Sequence, residues 1–336
     1  MSTISREIQL KSRPVGMPTP DNFQVAEVTI ADPGPGEVLV RNIYMSVDPY
    51  MRGRMVERKS YVPPFQIGEP LTGGCVGEVV ASNHDGFKVG DSVLGMLGWR
   101  EYYLSDGQGL QKVDPSMAPL QSFLGTFGMP GMTAYMGLLD IGEPKEGETV
   151  FVSAASGAVG AIVCQIAKIK GCRVVGSAGS DAKVAWLQDE LGVDAAFNYK
   201  TVDSVHSALK EHCPDGIDVY FENVGGEHLE ASINHMNDFG RIAVCGMISM
   251  YNATEAVPGP SNLANIIGKR LKVQGFIVSD HMDQLGRFYG DMGQWLAAGK
   301  LQWKETILDG IEKAPEAFIM LFTGENFGKM LVKVGE

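Results

Sequence analysis

The chain has 336 residues, 44% of them hydrophobic and 20% charged, a composition typical of a globular protein with more than one domain. Its formal charge of −12 argues against nucleic acid as a partner, because a phosphate backbone requires a basic face. No apolar run reaches the length of a membrane span and the N-terminus lacks the apolar stretch of a signal peptide, so we expect a cytoplasmic protein.

The residues up to about 125 are predicted to form an irregular, β-rich domain. Short apolar runs are separated by turn-forming glycines and prolines, for example at residues 32–36 and 73–74. Three of these runs, Val38–Ile43, Gly77–Val80 and Asp91–Gly95, are typical of strands. This pattern predicts a compact, barrel-like domain.

From about residue 149 the pattern becomes a regular alternation of strands and helices. The predicted strands are Thr149–Ala154, Arg173–Gly176, Ala195–Tyr199, Asp218–Glu222, Arg241–Cys245 and Lys272–Val278. Helical patterns such as Ala158–Ile169 and Ala182–Leu191 separate them. Alternation of this kind predicts an α/β fold with a doubly wound parallel sheet. We place this domain at residues 126–299 and assign residues 1–125 and 300–336 to the β-rich domain.

The first strand of the α/β region leads into a glycine-rich turn. Ala155-x-Gly157-x-x-Gly160 is a GxGxxG fingerprint with alanine at its first position. Gly157 would allow the backbone to approach a pyrophosphate, and Gly160 would allow the following helix to pack closely on the strand. The N-terminus of that helix supplies free N–H groups and a positive dipole end, so the turn predicts a dinucleotide cofactor.

The end of the second strand distinguishes NADP from NAD. NAD enzymes usually carry an acidic residue there, which binds the ribose 2′-hydroxyl, but this strand ends in small residues. Lys183 follows at a distance from which it could reach a 2′-phosphate. These residues favour NADPH, provided that Asp181 serves as an N-terminal residue of the next helix and points away from the ribose.

The sequence offers no pattern of zinc ligands. The first domain contains one cysteine, Cys75, and one histidine, His84, so it cannot supply the Cys and His ligands of a catalytic zinc. The five cysteines include no CxxC pair, which argues against a disulfide framework and a structural zinc site. We expect no metal, and surface or helix-capping roles for the histidines in the second half: His206, His212, His228, His235 and His281.

Several ordered motifs resemble one known family over essentially the whole chain. They are Ser46–Arg52, Gly128–Tyr135, Ala154–Gly160, Phe197–Lys200, Glu222–Gly226, Gly240–Gly246 and Gly324–Lys329. With these motifs the chain resembles the zinc-independent medium-chain dehydrogenase/reductases. Within that family it is similar to the leukotriene 12-hydroxydehydrogenases/prostaglandin reductases, the alkenal double-bond reductases and, most of all, the bacterial NADPH-dependent curcumin reductases.

The resemblance implies a GroES-like catalytic domain beside the Rossmann domain, and it implies a set of residues that bind NADP(H). These residues are Gly157, Ala158, Val159, Gly160, Ala161, Lys183, Tyr199, Asn223, Cys245, Gly246, Ser249, Tyr251, Phe276, Ile277, Val278 and Asn326. The family places a catalytic tyrosine after the fifth strand, which corresponds to Tyr251, and Tyr50 beside the substrate as a second candidate. A phenol is neutral at pH 7 and can donate a hydrogen bond to a carbonyl oxygen.

The implied reaction is reduction of the carbon–carbon double bond of an α,β-unsaturated ketone or aldehyde by NADPH. Tyr50, Met129, Met250 and Tyr251 are the candidate substrate contacts, although core packing is the alternative role for each methionine. A zinc-free quinone reductase and a non-catalytic NADPH-binding protein remain open as alternatives. The family commonly dimerises through the edge strand of its cofactor domain, for which Lys272–Val278 is the candidate.

Overall fold

The computed structural model describes residues 2–335, which form two compact units. One unit contains residues 2–124, Glu305–Asn326 and 330–335, and the other contains Gly125–Lys304 and Phe327–Lys329. None of the helices within residues 2–335 is long and apolar enough to cross a membrane.

The strands and helices are defined here in chain order. The strands are β1 (Thr3–Leu10), β2 (Phe23–Ile30), β3 (Val38–Ser46), β4 (Cys75–Ser82), β5 (Ser92–Gly95), β6 (Tyr102–Ser105), β7 (Gln111–Lys112), β8 (Thr149–Val152), β9 (Arg173–Ala178), β10 (Ala195–Asn198), β11 (Ile217–Glu222), β12 (Met236–Val244), β13 (Lys272–Gly275), β14 (Glu305–Asp309) and β15 (Lys329–Lys333). The α-helices are α1 (Met51–Arg54), α2 (Met129–Met136), α3 (Gly160–Ile169), α4 (Asp181–Asp189), α5 (Val205–His212), α6 (Gly226–His235), α7 (Asn265–Gly268), α8 (Leu285–Ala297) and α9 (Ala314–Thr323). A π-helical segment, Gly137–Gly142, continues α2.

The first unit is built on antiparallel β-structure. A seven-stranded sheet has the order β14-β15-β3-β4-β5-β7, with β6 also paired to β3, and β1 pairs with β2 in a separate ribbon. The strand β15, near the end of the chain, pairs with β3 through the register Leu331↔Ser46, so the tail completes this sheet. Apolar side chains of β1, β3, β4 and α9 form its core, in which Phe23, Trp99 and Phe318 pack ring against ring.

The second unit is a doubly wound α/β domain. All pairings in its six-stranded sheet are parallel, in the order β10-β9-β8-β11-β12-β13. Every residue of β8 is buried, as expected for a central strand covered by helices on both faces. The strand order reverses between β8 and β11, and in such sheets ligands bind outside the carboxyl ends of the strands at that reversal.

Local sequence explains where the helices of this unit begin. The Ser180 side chain accepts a hydrogen bond from the Lys183 N–H and caps α4, and Ser204 does the same for α5 in a capping box with Ser207. The predicted elements are present with shifted ends, and the largest difference is at the sixth strand. It was expected to reach Val278 but ends at Gly275, because a 3-10 segment begins at Val278.

Candidate functional site

The glycine-rich turn lies between β8 and α3 and has almost no room for side chains. A Cβ atom at residue 160 would lie 2.4 Å from the Ala154 carbonyl oxygen and 2.9 Å from the Ala155 Cα atom. A Cβ at Gly157 would lie 3.2 Å from the same carbonyl oxygen. Ala154 itself has φ +48°, a conformation that is uncommon for a residue with a side chain. The turn is therefore closed tightly around the Ala154 carbonyl, as the fingerprint predicts.

The turn leaves main-chain donors available at the start of α3. The Gly157 N–H donates to Ala154 O (3.0 Å) and the Ala161 N–H donates to Gly157 O (3.0 Å). The N–H groups of Ala158 and Val159 donate to no backbone carbonyl among residues 2–335. Two such amides beside a helix N-terminus suit an anionic ligand such as a pyrophosphate. The turn therefore fits the dinucleotide that its sequence predicts.

A segment from the far end of the chain holds the same turn. The Gly328 N–H donates to Ser156 O (3.1 Å), and residues 157 and 328 form a parallel β-bridge. Gly328 has φ +65°, and a Cβ there would lie 1.9 Å from the Lys304 carbonyl oxygen. The sequence motif Gly324–Lys329 contains this glycine, but only the structure places it against the glycine-rich turn.

Two lysines and a tyrosine lie together at the end of β9. Lys183 is only 9% exposed, and burial, followed by repulsion from Lys200, lowers its pKa. A Cβ on Gly179 would lie 3.1 Å from the Tyr199 hydroxyl and 3.4 Å from Lys200 Cε, so these side chains converge on the same small residue. A site with two ammonium groups and a phenol suits a phosphate. Lys200 was not among the predicted cofactor contacts, although it directly follows Tyr199.

Asp181 and His228 are neighbours of this site whose positions and charges affect which ligand it can bind. Asp181 is exposed and accepts a hydrogen bond from Asn198 Nδ2 (2.7 Å), as the first residue of α4. His228 was expected on the surface, but it is buried, with Nε2 3.1 Å from Ser177 Oγ and its ring edge-on to Tyr199. Burial lowers the pKa of His228 to about 4, so its ring is neutral at pH 7 and supports Tyr199 without adding charge.

The ends of β11 and β12 carry the next group of predicted residues. Asn223 Nδ2 donates to Ser153 O (2.7 Å), and the Asn223 N–H donates to Ser153 Oγ (2.9 Å). The N–H groups of Cys245 and Gly246 both donate to Glu222 O, at 2.9 and 3.1 Å. These bonds bring the two strand ends together at the carboxyl edge of the sheet. Ser153 and Glu222, which hold the group together, were not predicted as site residues.

Tyr251 follows in a 3-10 turn that leads out of this edge. Its N–H donates to Ile248 O (3.2 Å), and its hydroxyl oxygen would lie 3.1 Å from a Cβ on Gly246. Ser249 is exposed, and its hydroxyl donates to Val224 O (2.5 Å). The tyrosine hydroxyl is therefore packed against the end of β12, where only a glycine leaves room for it.

The other predicted cofactor residues of this unit follow β13. Phe276 packs edge-on to Phe221 and fills the space above Gly137, where a Cβ would lie 2.3 Å from its ring. Ile277 and Val278 are half-buried and lie beyond the strand, which corrects the expectation that they end it. Phe276 thus has a packing role that would exist without a ligand.

Two predicted residues, Tyr50 and Asn326, belong to the first unit. Tyr50 is half-buried at the start of α1, and burial raises the pKa of its phenol further above neutral pH. Its neighbour Arg52 is buried and donates to Gly16 O (2.8 Å), so it holds the preceding loop in place. Asn326 is half-buried just after Gly324, the left-handed residue that ends α9.

The two methionines predicted to contact substrate are accessible. Met129 is exposed as the first residue of α2, and Met250 is half-buried in the turn before Tyr251. Within residues 2–335 no three His, Cys, Asp or Glu side chains are grouped so that they could hold a metal ion.

Comparisons with known proteins agree with this arrangement. Residues 6–113 match the family described as N-terminal domain of oxidoreductase, and residues 158–295 match the family described as zinc-binding dehydrogenase. The NADPH-dependent curcumin reductase of Escherichia coli (strain K12) is 48% identical, over 98% of this chain and 97% of that protein. The NADP(+)-dependent 2-alkenal reductase of Nicotiana tabacum is 46% identical over the same shares of the two chains.

A solved structure extends the likeness to three dimensions. The crystal structure of CurA from Vibrio vulnificus in complex with NADPH superposes with a TM-score of 0.94 and 49% sequence identity, over 98% of this chain and 99% of that chain. With its Rossmann unit, its β-rich unit and these relatives, the chain belongs to the medium-chain dehydrogenase/reductase family, in the group that contains the curcumin and 2-alkenal reductases.

Proposed function

We propose that this protein is an NADPH-dependent reductase of the carbon–carbon double bond in α,β-unsaturated ketones and aldehydes, including curcumin-like enones. The observation that carries the proposal is the carboxyl edge of the parallel sheet. There the phosphate turn at Ala155–Gly160 and the Tyr251 hydroxyl beside Gly246 belong to the same unit. Relatives at 46% and 48% identity over nearly the whole chain are named for this chemistry.

NADP(H) is the cofactor, and the residues of the second unit divide its recognition among themselves. The free amides of Ala158 and Val159 would hold the pyrophosphate, and Gly157 would let the backbone approach it. Gly160 and Ala161 complete this contact region at the start of α3, where Gly160 leaves room for the Ala154 carbonyl. The remaining contacts are assigned to Lys183, Tyr199, Asn223, Cys245, Gly246, Ser249, Tyr251, Phe276, Ile277, Val278 and Asn326. Lys200 joins Lys183 at the 2′-phosphate.

Replacing Lys183 with alanine is expected to raise the Kd of NADPH while leaving that of NADH almost unchanged. A hydrogen bond to a charged group contributes about 1.5–3 kcal/mol, which corresponds to a roughly 10- to 100-fold weaker binding of NADPH. Fluorescence titration with both cofactors measures the two constants. Lys168→Ala is the matched control, because Lys168 is bound to Asp194 on the same unit. Equal losses for both cofactors in Lys183→Ala would mean that Lys183 supports the fold and not the phosphate.

The reaction needs a group that stabilises negative charge on the substrate oxygen. Bound NADPH supplies the hydride that reduces the β-carbon. Tyr251 donates a hydrogen bond to the carbonyl oxygen on which charge develops, and the α-carbon then takes a proton. Tyr50, a phenol that is protonated at neutral pH, is the second donor available to the substrate. Met129 and Met250 contribute adaptable apolar contacts for flat, bulky substrates.

The division of labour follows the two domains. We assign residues 1–125 and 300–336 to a GroES-like catalytic domain and residues 126–299 to a Rossmann domain that binds NADP(H). Of the residues assigned to the substrate, Tyr50 lies in the first of these domains, and Met129, Met250 and Tyr251 lie in the second.

A side-by-side kinetic assay tests the proposed activity. Oxidation of NADPH is followed at 340 nm with a curcumin-like enone, a 2-alkenal and a quinone, and the products are identified by mass. We expect consumption of one NADPH per double bond reduced and little turnover of the quinone. Preferred turnover of the quinone would make the protein a quinone reductase, and no turnover of any acceptor would favour a cofactor-binding protein without catalysis.

An enzyme that handles electrophilic enones is expected to keep its own thiols unreactive. Four of the five cysteines are buried, and burial raises the pKa of Cys75, Cys164, Cys213 and Cys245 to about 12 and that of Cys172 to about 11. Because the thiolate is the reactive form, the native protein should react with less than one equivalent of a thiol reagent. Titration with 5,5′-dithiobis(2-nitrobenzoate), repeated in guanidinium chloride, should give all five thiols only after unfolding. Rapid modification of native protein would contradict this.

We place the protein in the cytoplasm as a homodimer. The strand β13 is one of the two edge strands of the parallel sheet, and its free edge offers main-chain groups to a second copy. Exposed apolar side chains lie nearby in the sequence, among them Ile267 (80% exposed) and Val273. Light scattering at micromolar concentration should give twice the chain mass of 36.2 kDa, and a single chain mass would refute the dimer.

A further inference from the structure

Glu222, the last residue of β11, is a fully buried carboxyl that the proposed reaction does not use. It is 0% exposed. Its Oε1 atom accepts hydrogen bonds from the Val224 N–H (2.6 Å), the Gly225 N–H (2.9 Å) and the Ser153 hydroxyl (3.1 Å). The two main-chain donors close the chain into a tight turn directly after the strand, and the Ser153 hydroxyl connects this turn to the residue that follows β8.

Burying this carboxyl carries a cost that its surroundings do not offset with a positive charge. Burial raises the pKa of Glu222, and the groups that act against this rise are two main-chain N–H groups and the hydroxyls of Tyr220 and Ser153. Its Oε2 atom is buried and has no hydrogen-bond partner in the described chain. The Oε1 atom therefore makes the hydrogen bonds of this side chain, and through them it stabilises the turn.

The turn that Glu222 stabilises is hydrogen-bonded to the segment that carries Tyr251. Asn223 O accepts from the Ile248 N–H (3.2 Å), and Val224 O accepts from the Ser249 N–H (3.0 Å). The Ile248 carbonyl then accepts from the Tyr251 N–H. A continuous set of hydrogen bonds thus runs from the buried carboxyl to the backbone of the tyrosine.

We infer that Glu222 is a positioning residue, which fixes the Tyr251 hydroxyl for the reaction through the turn at residues 223–225 and the segment 248–251. This inference rests on the proposed role of Tyr251. Glu222 lies beneath the surface of the sheet edge and touches no substrate, so it acts only through the main chain. A shift of the tyrosine hydroxyl by about 1 Å can cost roughly 100-fold in rate, so a residue of this kind influences catalysis strongly.

The test compares two replacements of similar size. Glu222→Gln keeps an Oε1 acceptor for the three donors, whereas Glu222→Met fills the same volume without an acceptor. We expect Glu222→Met to lower kcat about 10-fold or more, and Glu222→Gln to restore most of that loss. KM for the enone should change less than kcat, because the carboxyl does not touch substrate. Loss of activity to the same extent in both variants would overturn the inference.

A double-mutant cycle with Tyr251→Phe separates positioning from general damage to the fold. If Glu222 acts through the tyrosine hydroxyl, Glu222→Met should cost less than about 3-fold in a chain that already carries phenylalanine at 251. An equal cost with and without the hydroxyl would mean that Glu222 supports the fold alone, and the inference would fail.

Hydrogen exchange gives a readout that does not depend on activity. The amides of Ile248 and Ser249 should exchange at least 10-fold faster in Glu222→Met than in Glu222→Gln, while the amides of β8 stay protected in both. Unchanged exchange at residues 248–249 would overturn the inference. If exchange rises but Tyr251→Phe retains full turnover, the link from Glu222 to the loop stands and the proposed role of Tyr251 fails instead.

Discussion

Tyr251→Phe is expected to lower kcat for an enone by about two orders of magnitude, the usual cost of removing one donor that stabilises a developing oxyanion. The phenylalanine ring keeps the shape of the side chain and removes only the hydroxyl, which lies beside Gly246 at the end of β12. NADPH affinity should change little, because the main-chain contacts of the loop remain. Stopped-flow measurement of NADPH oxidation, with the Kd from fluorescence titration, separates the two effects.

Two further tyrosine variants test whether the loss of kcat is specific to Tyr251. Tyr289→Phe, on α8, changes a tyrosine to which no role is assigned and should leave kcat within about twofold of the unmodified protein, as surface substitutions usually do. Tyr50→Phe should act mainly on KM, since its hydroxyl is assigned to the substrate and not to the charge that develops. Full turnover of Tyr251→Phe would remove Tyr251 from the chemistry and shift that role to Tyr50.

Gly160→Ala is expected to weaken NADPH binding by about 10- to 100-fold and to lower the free energy of unfolding. The added Cβ would lie 2.4 Å from the Ala154 carbonyl oxygen, so the turn must open. Overpacking of this kind costs about 1–3 kcal/mol, and the shifted amides of Ala158 and Val159 would no longer converge on a pyrophosphate. Fluorescence titration and guanidinium unfolding measure the two effects.

A graded series of glycine replacements provides the controls. Gly157→Ala should have a smaller effect, because its Cβ contact of 3.2 Å can be relieved by a small shift. Gly290→Ala, in the middle of α8 with nothing within 4 Å of its Cβ position, should stabilise the protein by about 0.5–1 kcal/mol. Normal NADPH affinity in Gly160→Ala would mean that the turn does not hold the cofactor.

The sequence by itself determined those features that depend on local pattern. The alternation of apolar runs and helical segments predicted the parallel sheet, since short strands buried on both faces are apolar throughout, as β8 is. The glycines at 157 and 160 predicted the phosphate turn, because the fingerprint needs small residues where the backbone approaches a pyrophosphate and where the helix packs on the strand. The small residues after β9 and the nearby Lys183 predicted NADPH, because the strand end lacks the acidic residue of NAD enzymes and a lysine follows close in the sequence.

Contacts between distant segments could be decided only by the tertiary structure. His228 was predicted at the surface, because one polar residue in a helix does not reveal which strand its face will cover; it packs on Ser177 and Tyr199. The main-chain hydrogen bond from Gly328 to Ser156 joins residues 172 positions apart, and no local pattern encodes it.

Glu222 is the clearest case of what the tertiary structure adds. The motif at Glu222–Gly226 marked it only as part of a resemblance, and composition would place a glutamate at the surface. The parallel pairing of β11 with β8 and β12 brings its carboxyl beneath Ser153 and beside the segment that leads to Tyr251. Sequence thus determined the fold and the cofactor, whereas the positioning proposed for Tyr251 depends on long-range pairing, because hydrogen bonds across strands connect residues that the chain separates.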